Sequence, residues 1–329
     1  MLFYIIRRFF YMFVILLALS VVSFVIIQLP PGDYLSTYIA QLRASGQTTS
    51  EAEIASLERQ YGLDLPIYFQ YFKWMWNMLH GDFGRSFSWS MPVSKLIAER
   101  LPLTVLISML SFGFVFAVAI PIGIYSAIRQ YSFGDYAFTI IGFAGLAIPN
   151  FLFALVLMYF FYMYFGFSAG GLFSVQYIDA AWNLDKFVDM LKHLPIPIIV
   201  IGTAGTAGLI RVMRGCLLDE LRKQYVITAR AKGVAERTLL FKYPIRVAIN
   251  PIISTIGWML PAIVSGETIT AIVLNIPTMG PLLFGALSSQ DMYLAGSTVM
   301  FLAFLTVIGT FISDILLVLV DPRISYEKR

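Results

Sequence analysis

Apolar residues run through most of the chain in stretches of about 20, separated by shorter polar segments. A helix that crosses a bilayer needs about 20 mostly apolar residues, and six stretches meet this requirement. They are roughly Phe9–Leu29, Leu103–Ile128, Ala137–Phe167, Ile196–Val212, Ala248–Leu274 and Leu294–Val320. The pattern therefore predicts an all-α polytopic membrane protein with six transmembrane helices.

The composition agrees with this prediction. Hydrophobic residues make up 59% of the chain and charged residues only 13%, whereas about 25% of a typical soluble domain is charged. The single cysteine, Cys216, excludes an intrachain disulfide. The first apolar stretch follows Arg7 and Arg8, as in a secretory signal, but it is too long for one and shows no cleavage site, so we expect an uncleaved helix.

Lysine and arginine collect on one side of the predicted membrane. Of the 23 cations in the chain, fifteen fall in four segments that share one side, which leaves 23 − 15 = eight for the other. The four segments are residues 1–8, 129–136, 211–247 and 321–329. Because cytoplasmic loops carry the excess of positive charge, both termini are predicted to be cytosolic.

The predicted external segment between the first two spans, residues 31–100, is too long for a simple connection. Ser50 and Glu53 have the spacing of a capping box, and Pro66 can open a second helix that ends near Gly81. We therefore expect a small external helical subdomain, with its tryptophans at the surface. The predicted segments are 1–30 (N-terminus and first span), 31–100 (subdomain), 101–320 (membrane core, with a cytosolic loop at 213–247) and 321–329 (cytosolic tail).

Motifs for chemistry are not found in the sequence. "GTAGTAG" at Gly202–Gly208 resembles a phosphate loop, but no Lys-Ser or Lys-Thr follows, and small residues inside a span favour close helix packing. His80 and His193 have no second ligand at metal spacing. We therefore predict no catalytic residue, no bound cofactor, no metal site and no nucleic-acid binding in this chain.

Two acids fall inside predicted spans, where ionisable groups are costly and functional roles are common. Asp314 is predicted to pair with a neighbouring helix or to reach the interface. Glu267 lies deeper, and two interpretations stay open for it: a wet pathway or a structural hydrogen bond. Because helix-breaking residues surround it, we predict a translocation path lined by Pro261, Gly266, Glu267 and Thr270.

The predicted cytosolic loop contains "ITARAKGVAERTLLFKYPIRVAIN" from Ile227 to Asn250. The pattern predicts a helix from Leu217 to Lys232, a break at Gly233, and a second helix from Val234 to Lys242 that Pro244 ends. Ala229 and Ala231 present little bulk, which suits close contact with another protein. The alternative is a loop that lies on lipid headgroups, with Val226, Leu239, Leu240 and Phe241 facing the membrane.

"YVITARAKGVAERTLLFKYPIRVAINPI" resembles the cytoplasmic signature loop of binding-protein-dependent ABC importer permeases. Gly233 matches the glycine of that motif, and Thr228 stands where the motif's glutamate would be. Further segments resemble the first membrane subunit of the oligopeptide/dipeptide permease family along essentially the whole chain. They are "LPPGD" (29–33), "RQYGLDLPIYFQYFKWMWNMLHGDFGRSF" (59–87), "ERLPLT" (99–104), "AIPNFLFALVLMYFF" (147–161), "NIPTMGPLL" (275–283) and "DPRI" (321–324).

The resemblance implies a type I ABC importer permease in the cytoplasmic membrane of a prokaryote. Its implied partners are a second permease subunit, two cytosolic ATPases that bind ATP and magnesium, an external solute-binding protein and membrane lipid. The loop would be a coupling helix that contacts an ATPase through Tyr225, Thr228, Ala229, Arg230, Ala231, Lys232, Gly233 and Leu240.

The resemblance implies that the chain forms half of a translocation pathway for oligopeptides or dipeptides. Oligosaccharides or nickel are the alternative substrates, because some members of the family import those. Many members carry a glutamate at the position of Ala271, whereas this chain has Glu267 one helical turn earlier. A rival class is an ion-coupled secondary transporter. That class favours repeated halves and a charged midplane site, and no long repeat is visible here.

Overall fold

The computed structural model describes residues 2–28, 65–86, 88–166, 170–178, 180–256, 259 and 268–320. Helices account for most of this part of the chain. They are α1 Leu2–Gln28, α2 Ile67–Leu79, α3 Val93–Ile128, α4 Phe133–Ala147, α5 Asn150–Phe165, α6 Leu184–His193, α7 Pro195–Leu221, α8 Gln224–Ala231, α9 Glu236–Lys242, α10 Pro244–Ala248, α11 Thr268–Val273, α12 Met279–Ser288 and α13 Met292–Val320. Two short antiparallel strands, β1 Arg85–Ser86 and β2 Met91–Pro92, pair before α3.

Within these described residues, four helical stretches are long and apolar enough to cross a membrane. They are Ile5–Val25, Val93–Ile128, Leu184–Leu221 and Tyr293–Leu316. The pair α4 and α5 gives a fifth if it counts as one bent span. The predicted span 248–274 includes residues outside the described part, so the count of six stays a prediction.

Three helices differ from the apolar stretches that predicted them. The helix of the second predicted span begins ten residues before Leu103, at Val93, because the amphipathic segment before Leu103 continues the same helix. The helix of the fourth predicted span continues beyond Val212 to Leu221. The third is bent by 107° between Ala147 and Asn150, because Pro149 donates no hydrogen bond and forces the preceding residue into an extended conformation.

The chain forms two compact units, and the first consists of residues 1–9, 104–277 and 308–329. Helix α7 lies at its centre and packs against α4, α5, α6, α8 and α10. Its small residues make this packing possible: a Cβ on Gly202 would lie 2.4 Å from Phe114, and a Cβ on Gly145 would lie 2.5 Å from Thr203. The prediction that "GTAGTAG" serves close helix packing is thereby confirmed at Gly202.

An ion pair joins the two terminal helices within this first unit. Arg8 of α1 lies 2.9 Å from Asp314 of α13, and the aspartate is largely buried. This confirms the prediction that Asp314 pairs with a neighbouring helix. The pair fixes two spans side by side, since a buried carboxylate is stable only with a partner.

The second unit consists of residues 10–103 and 278–307. Its core joins the start of α3 to α12 and the start of α13 through Val93, Leu96, Met279, Leu282 and Leu294. The carboxylate of Asp291 is fully buried and accepts hydrogen bonds from the Ser86 hydroxyl, the Ser88 amide and the Leu294 amide. Asp291 therefore caps α13 and holds the β1–β2 turn against it.

Helix α2 begins after Pro66, and Gly81 follows it with a φ of +81°, as predicted. The preceding predicted helix, with Ser50 and Glu53, lies outside the described residues. Trp76 and Trp89 are exposed, but Trp74 is buried against Phe24 of α1. The expected surface position is therefore wrong for Trp74, because the inner face of α2 packs on α1.

Candidate functional site

The predicted coupling loop is a chain of short helices attached to the end of α7. Helix α7 ends at Leu221, Lys223 is extended, and α8 then begins at Gln224. The sequence predicted one continuous helix from Leu217 to Lys232, and this break corrects that prediction. Because Lys223 is extended, α8 leaves the direction of α7 and packs back against its end.

A Schellman motif ends α8. The Gly233 amide donates to the Arg230 carbonyl (3.0 Å) and the Val234 amide donates to the Ala229 carbonyl (3.3 Å). Gly233 has a φ of +77°, and a Cβ there would meet no atom within 4 Å. The predicted glycine break is confirmed, and glycine is needed for its backbone conformation, not for space.

After the motif, α9 runs from Glu236 to Lys242, and α10 begins directly at Pro244. Pro244 therefore ends one helix, as predicted, and also occupies the first position of the next, where its missing amide is not needed. Helices α9 and α10 pack on each other, and α10 packs on α7. The loop thus returns to the helix from which it starts.

One face of α8 is turned away from the protein. Tyr225, Thr228 and Lys232 are exposed, and Ala229 between them is partly exposed. Residues three, four and seven positions apart lie on the same helical face. Ala231 is also exposed, so the structure brings most of the predicted contact residues to one small-residue surface.

The opposite side of the loop is buried. Val226 and Leu239 have no exposed surface, and Leu240 is 8% exposed. Leu240 was predicted to contact an ATPase, and its burial inside this chain removes it from the exposed surface. The lipid interpretation required these three side chains to face the membrane, so their burial disfavours it, and only Phe241 of that set is exposed.

Arg230 forms a two-pronged ion pair with Glu236 across the glycine turn. Its Nε lies 3.0 Å from Oε2 and its Nη2 lies 2.6 Å from Oε1 of the glutamate. Arg230 was predicted to contact an ATPase, and here its guanidinium is paired with an acid of its own loop. The hydrogen bonds from Arg230 hold the pKa of the Glu236 carboxyl below its usual value.

Tyr225 connects α8 to the end of α7. Its hydroxyl donates a hydrogen bond to the Glu220 carboxylate. Partial burial, together with the neighbouring carboxylate, raises the pKa of this hydroxyl well above its usual value, so it stays protonated. Neither acid is predictable from the sequence as a partner, because an i+6 pair across a left-handed turn and a pair across a helix break have no periodic signal.

The predicted translocation path is only partly described. Pro261, Gly266 and Glu267 lie outside the described residues. Thr270 belongs to α11 and is 3% exposed. A side chain buried inside its own subunit does not face a pathway, whereas the neighbouring Ile269 is exposed. In the part of the chain that the structure describes, no three histidines, cysteines or acids are grouped to hold a metal ion.

Apolar spanning helices and an exposed helical loop on the central one are typical of the membrane subunits of transport systems. Residues 119–326 match the family "binding-protein-dependent transport system inner membrane component", and residues 1–109 match the N-terminal family of the same components. The chain belongs to this family and is a multi-pass permease subunit of the ABC importer class, with a type I permease fold.

Relatives match the chain from end to end. It is 38% identical to the oligopeptide transport system permease protein AppB of Bacillus subtilis, over 98% of this chain and 99% of that protein. It is 33% identical to a putative peptide permease of Brucella ovis, over 94% and 95%. It is 32% identical to the inner membrane ABC transporter permease protein YejB of Escherichia coli, over 99% of both.

Proposed function

We propose that this chain forms half of the membrane pathway through which an ATP-driven importer takes up peptides. The main support for this proposal is the similarity of nearly the whole chain to proteins named oligopeptide and peptide permeases. A second permease subunit completes the pathway, a solute-binding protein delivers the peptide from outside, and two cytosolic ATPases bind and hydrolyse ATP.

The coupling loop transmits ATPase movement to the spanning helices. Its exposed face, formed by Tyr225, Thr228, Ala229, Ala231 and Lys232, enters a groove of one ATPase. The loop is attached to α7 on both sides, through α8 and α10, and α7 packs against most helices of its unit. A push on the loop therefore moves α7 and the helices around it, because packed interiors transmit displacement.

The loop can dock only if it lies in the cytosol, and the distribution of cations supports that placement. Both termini lie on the same side, and the segment between α1 and α3 lies outside, where it receives the binding protein. In this arrangement residues 31–100 form the external subdomain, residues 101–320 form the membrane core with its cytosolic loop, and residues 321–329 form the cytosolic tail. In this proposal Pro261, Gly266 and Glu267 line the translocation path between the two permease subunits. Thr270 does not line it, because its side chain is buried.

Uptake by the reconstituted transporter tests this function. The permease pair, its ATPases and its binding protein are placed in liposomes with ATP inside. We expect labelled peptides to enter only with ATP and binding protein present, and a protonophore to leave uptake unchanged. If an oligosaccharide or nickel were taken up and peptides were not, the chain would still belong to an ATP-driven importer, but its substrate would not be a peptide. Uptake that needs a proton gradient and no ATP would contradict the class.

A further inference from the structure

A cavity of about 300 Å³ lies between residues 131–143, which include most of α4, and residues 207–214 of α7. This volume is at the lower end of the range for small-molecule sites. Tyr131, Tyr136 and Phe143 line it on one side, and Ile210, Arg211 and Arg214 line it on the other. The three aromatic side chains are all at least half exposed, so the cavity opens at the surface of the subunit.

Two guanidinium groups stand in this cavity, and only one of them is neutralised. Arg214 lies 3.2 Å from the Asp135 carboxylate, while its Nε is buried without an acceptor. The Arg211 guanidinium lies over the Phe143 ring, 5.0 Å from its centroid, and forms no ion pair within the described residues. The cavity thus carries more positive than negative charge, and Arg211 supplies the excess.

The local backbone of the cavity is well defined. Ser132 caps α4 by accepting from the Asp135 amide, and the Asp135 carboxylate accepts from the Tyr131 amide in return. This pair of bonds holds Tyr131 at a φ of +61° and places its ring, 71% exposed, at the mouth of the cavity. The turn at the mouth of the cavity is therefore held by bonds within residues 131–135.

Apolar surface extends from the cavity along α4. Tyr136, Ile140 and Phe143 are each at least 50% exposed and lie four and three positions apart, so they form one stripe of this helix. A free inorganic anion would gain nothing from that surface, whereas an acyl chain would bury it. Basic pockets between spanning helices at the cytoplasmic side bind the headgroups of anionic lipids.

We propose that this cavity is a binding site for an anionic phospholipid. The phosphodiester contacts the guanidinium of Arg211, the hydroxyls of Tyr131 and Tyr136 donate to its oxygens, and an acyl chain lies along α4. The site is separate from the coupling loop and requires only that α4 and α7 lie in a membrane. Lipid binding at this site is expected whichever substrate the importer carries.

Photoaffinity labelling tests the site. The full-length permease, purified with its co-expressed partners, is placed in phosphatidylcholine nanodiscs with a photoactivatable phosphatidylglycerol or a phosphatidylcholine of the same chain length. We expect saturable labelling of peptides from 131–143 and 207–214 by the anionic probe. The zwitterionic probe should label them about fivefold less, the preference that one arginine near an anionic headgroup provides.

Three variants test whether the charge of Arg211 causes the preference for the anionic probe. Arg211→Gln should remove the preference for the anionic probe, whereas Arg211→Lys should retain most of it, because the charge is kept. Arg222→Gln removes an exposed cation on the same predicted side and should change nothing. Equal labelling by both probes, an unchanged preference in Arg211→Gln, or protection of the cavity by millimolar inorganic phosphate would each overturn the proposal.

Discussion

At the scale of single residues, Gly233 determines where α8 ends. Its φ of +77° costs a residue with a β-carbon about 1–2 kcal/mol. Gly233→Val should therefore reduce peptide-stimulated ATP hydrolysis at least about fivefold, the population ratio that corresponds to 1 kcal/mol.

Asparagine provides a matched control at this position, since it tolerates left-handed backbone better than other residues with a β-carbon. Gly233→Asn should keep most of the stimulated hydrolysis, with the permease inserted to the same level. Equal activity in both variants would show that the left-handed turn is not needed for coupling.

The Arg230–Glu236 pair is a second feature at this scale, and it has a defined pH dependence. A lowered carboxyl pKa means that the pair is complete at neutral pH and is lost only as the pH falls through that lowered value. A nitroxide on Lys232→Cys should therefore stay immobile down to the usual glutamate pKa of about 4.3 and gain mobility below it.

Glu236→Gln removes the carboxylate, so in this variant the same nitroxide should be mobile already at pH 7. Electron paramagnetic resonance line widths measure both states. A label that becomes mobile near pH 6, or that is equally immobile in Glu236→Gln, would show that the ion pair does not order the turn.

At the scale of elements, α8 is an amphipathic helix whose exposed face contains small residues. A tryptophan at Ala229 would stand on that face and prevent close approach of another protein, while the buried face with Val226 stays intact. Overpacking of a tight contact costs about 1–3 kcal/mol. Ala229→Trp should therefore weaken ATPase association about tenfold, measured by co-purification at graded ATPase concentrations.

Thr238→Trp adds the same bulk at an exposed position of α9, outside the proposed docking face of α8. It should leave association near the level of the unmodified chain. If both tryptophans weaken association equally, bulk anywhere on the loop is harmful and the contact is not confined to the proposed face. If neither does, α8 does not dock.

At the scale of the whole molecule, topology decides whether the loop can meet an ATPase. In a Cys216→Ser background, Asp82→Cys and Arg237→Cys place single thiols on exposed residues before α3 and in α9. An impermeant maleimide added to intact cells should label Asp82→Cys only, and inverted membrane vesicles should give the opposite result. Labelling of Arg237→Cys from outside would contradict the cytosolic loop.

The sequence by itself determined the class of this protein, because long apolar stretches, clustered cations and the ordered family motifs are local features. It also determined the glycine turn, since a left-handed backbone strongly prefers glycine. It predicted the packing role of "GTAGTAG", because small residues in a span permit close approach. Each of these rests on residues that are neighbours along the chain.

Only the tertiary structure decided which loop residues are available. Leu240 and Tyr225 lie on neighbouring short helices with similar apolar character, and burial against the rest of the chain separates them. Arg230 finds its acid across a turn, and Arg211, Arg214 and Asp135 meet in one cavity although about 80 residues of chain lie between the aspartate and the arginines. Such contacts depend on how α4 and α7 pack, and no periodicity along the chain encodes that packing.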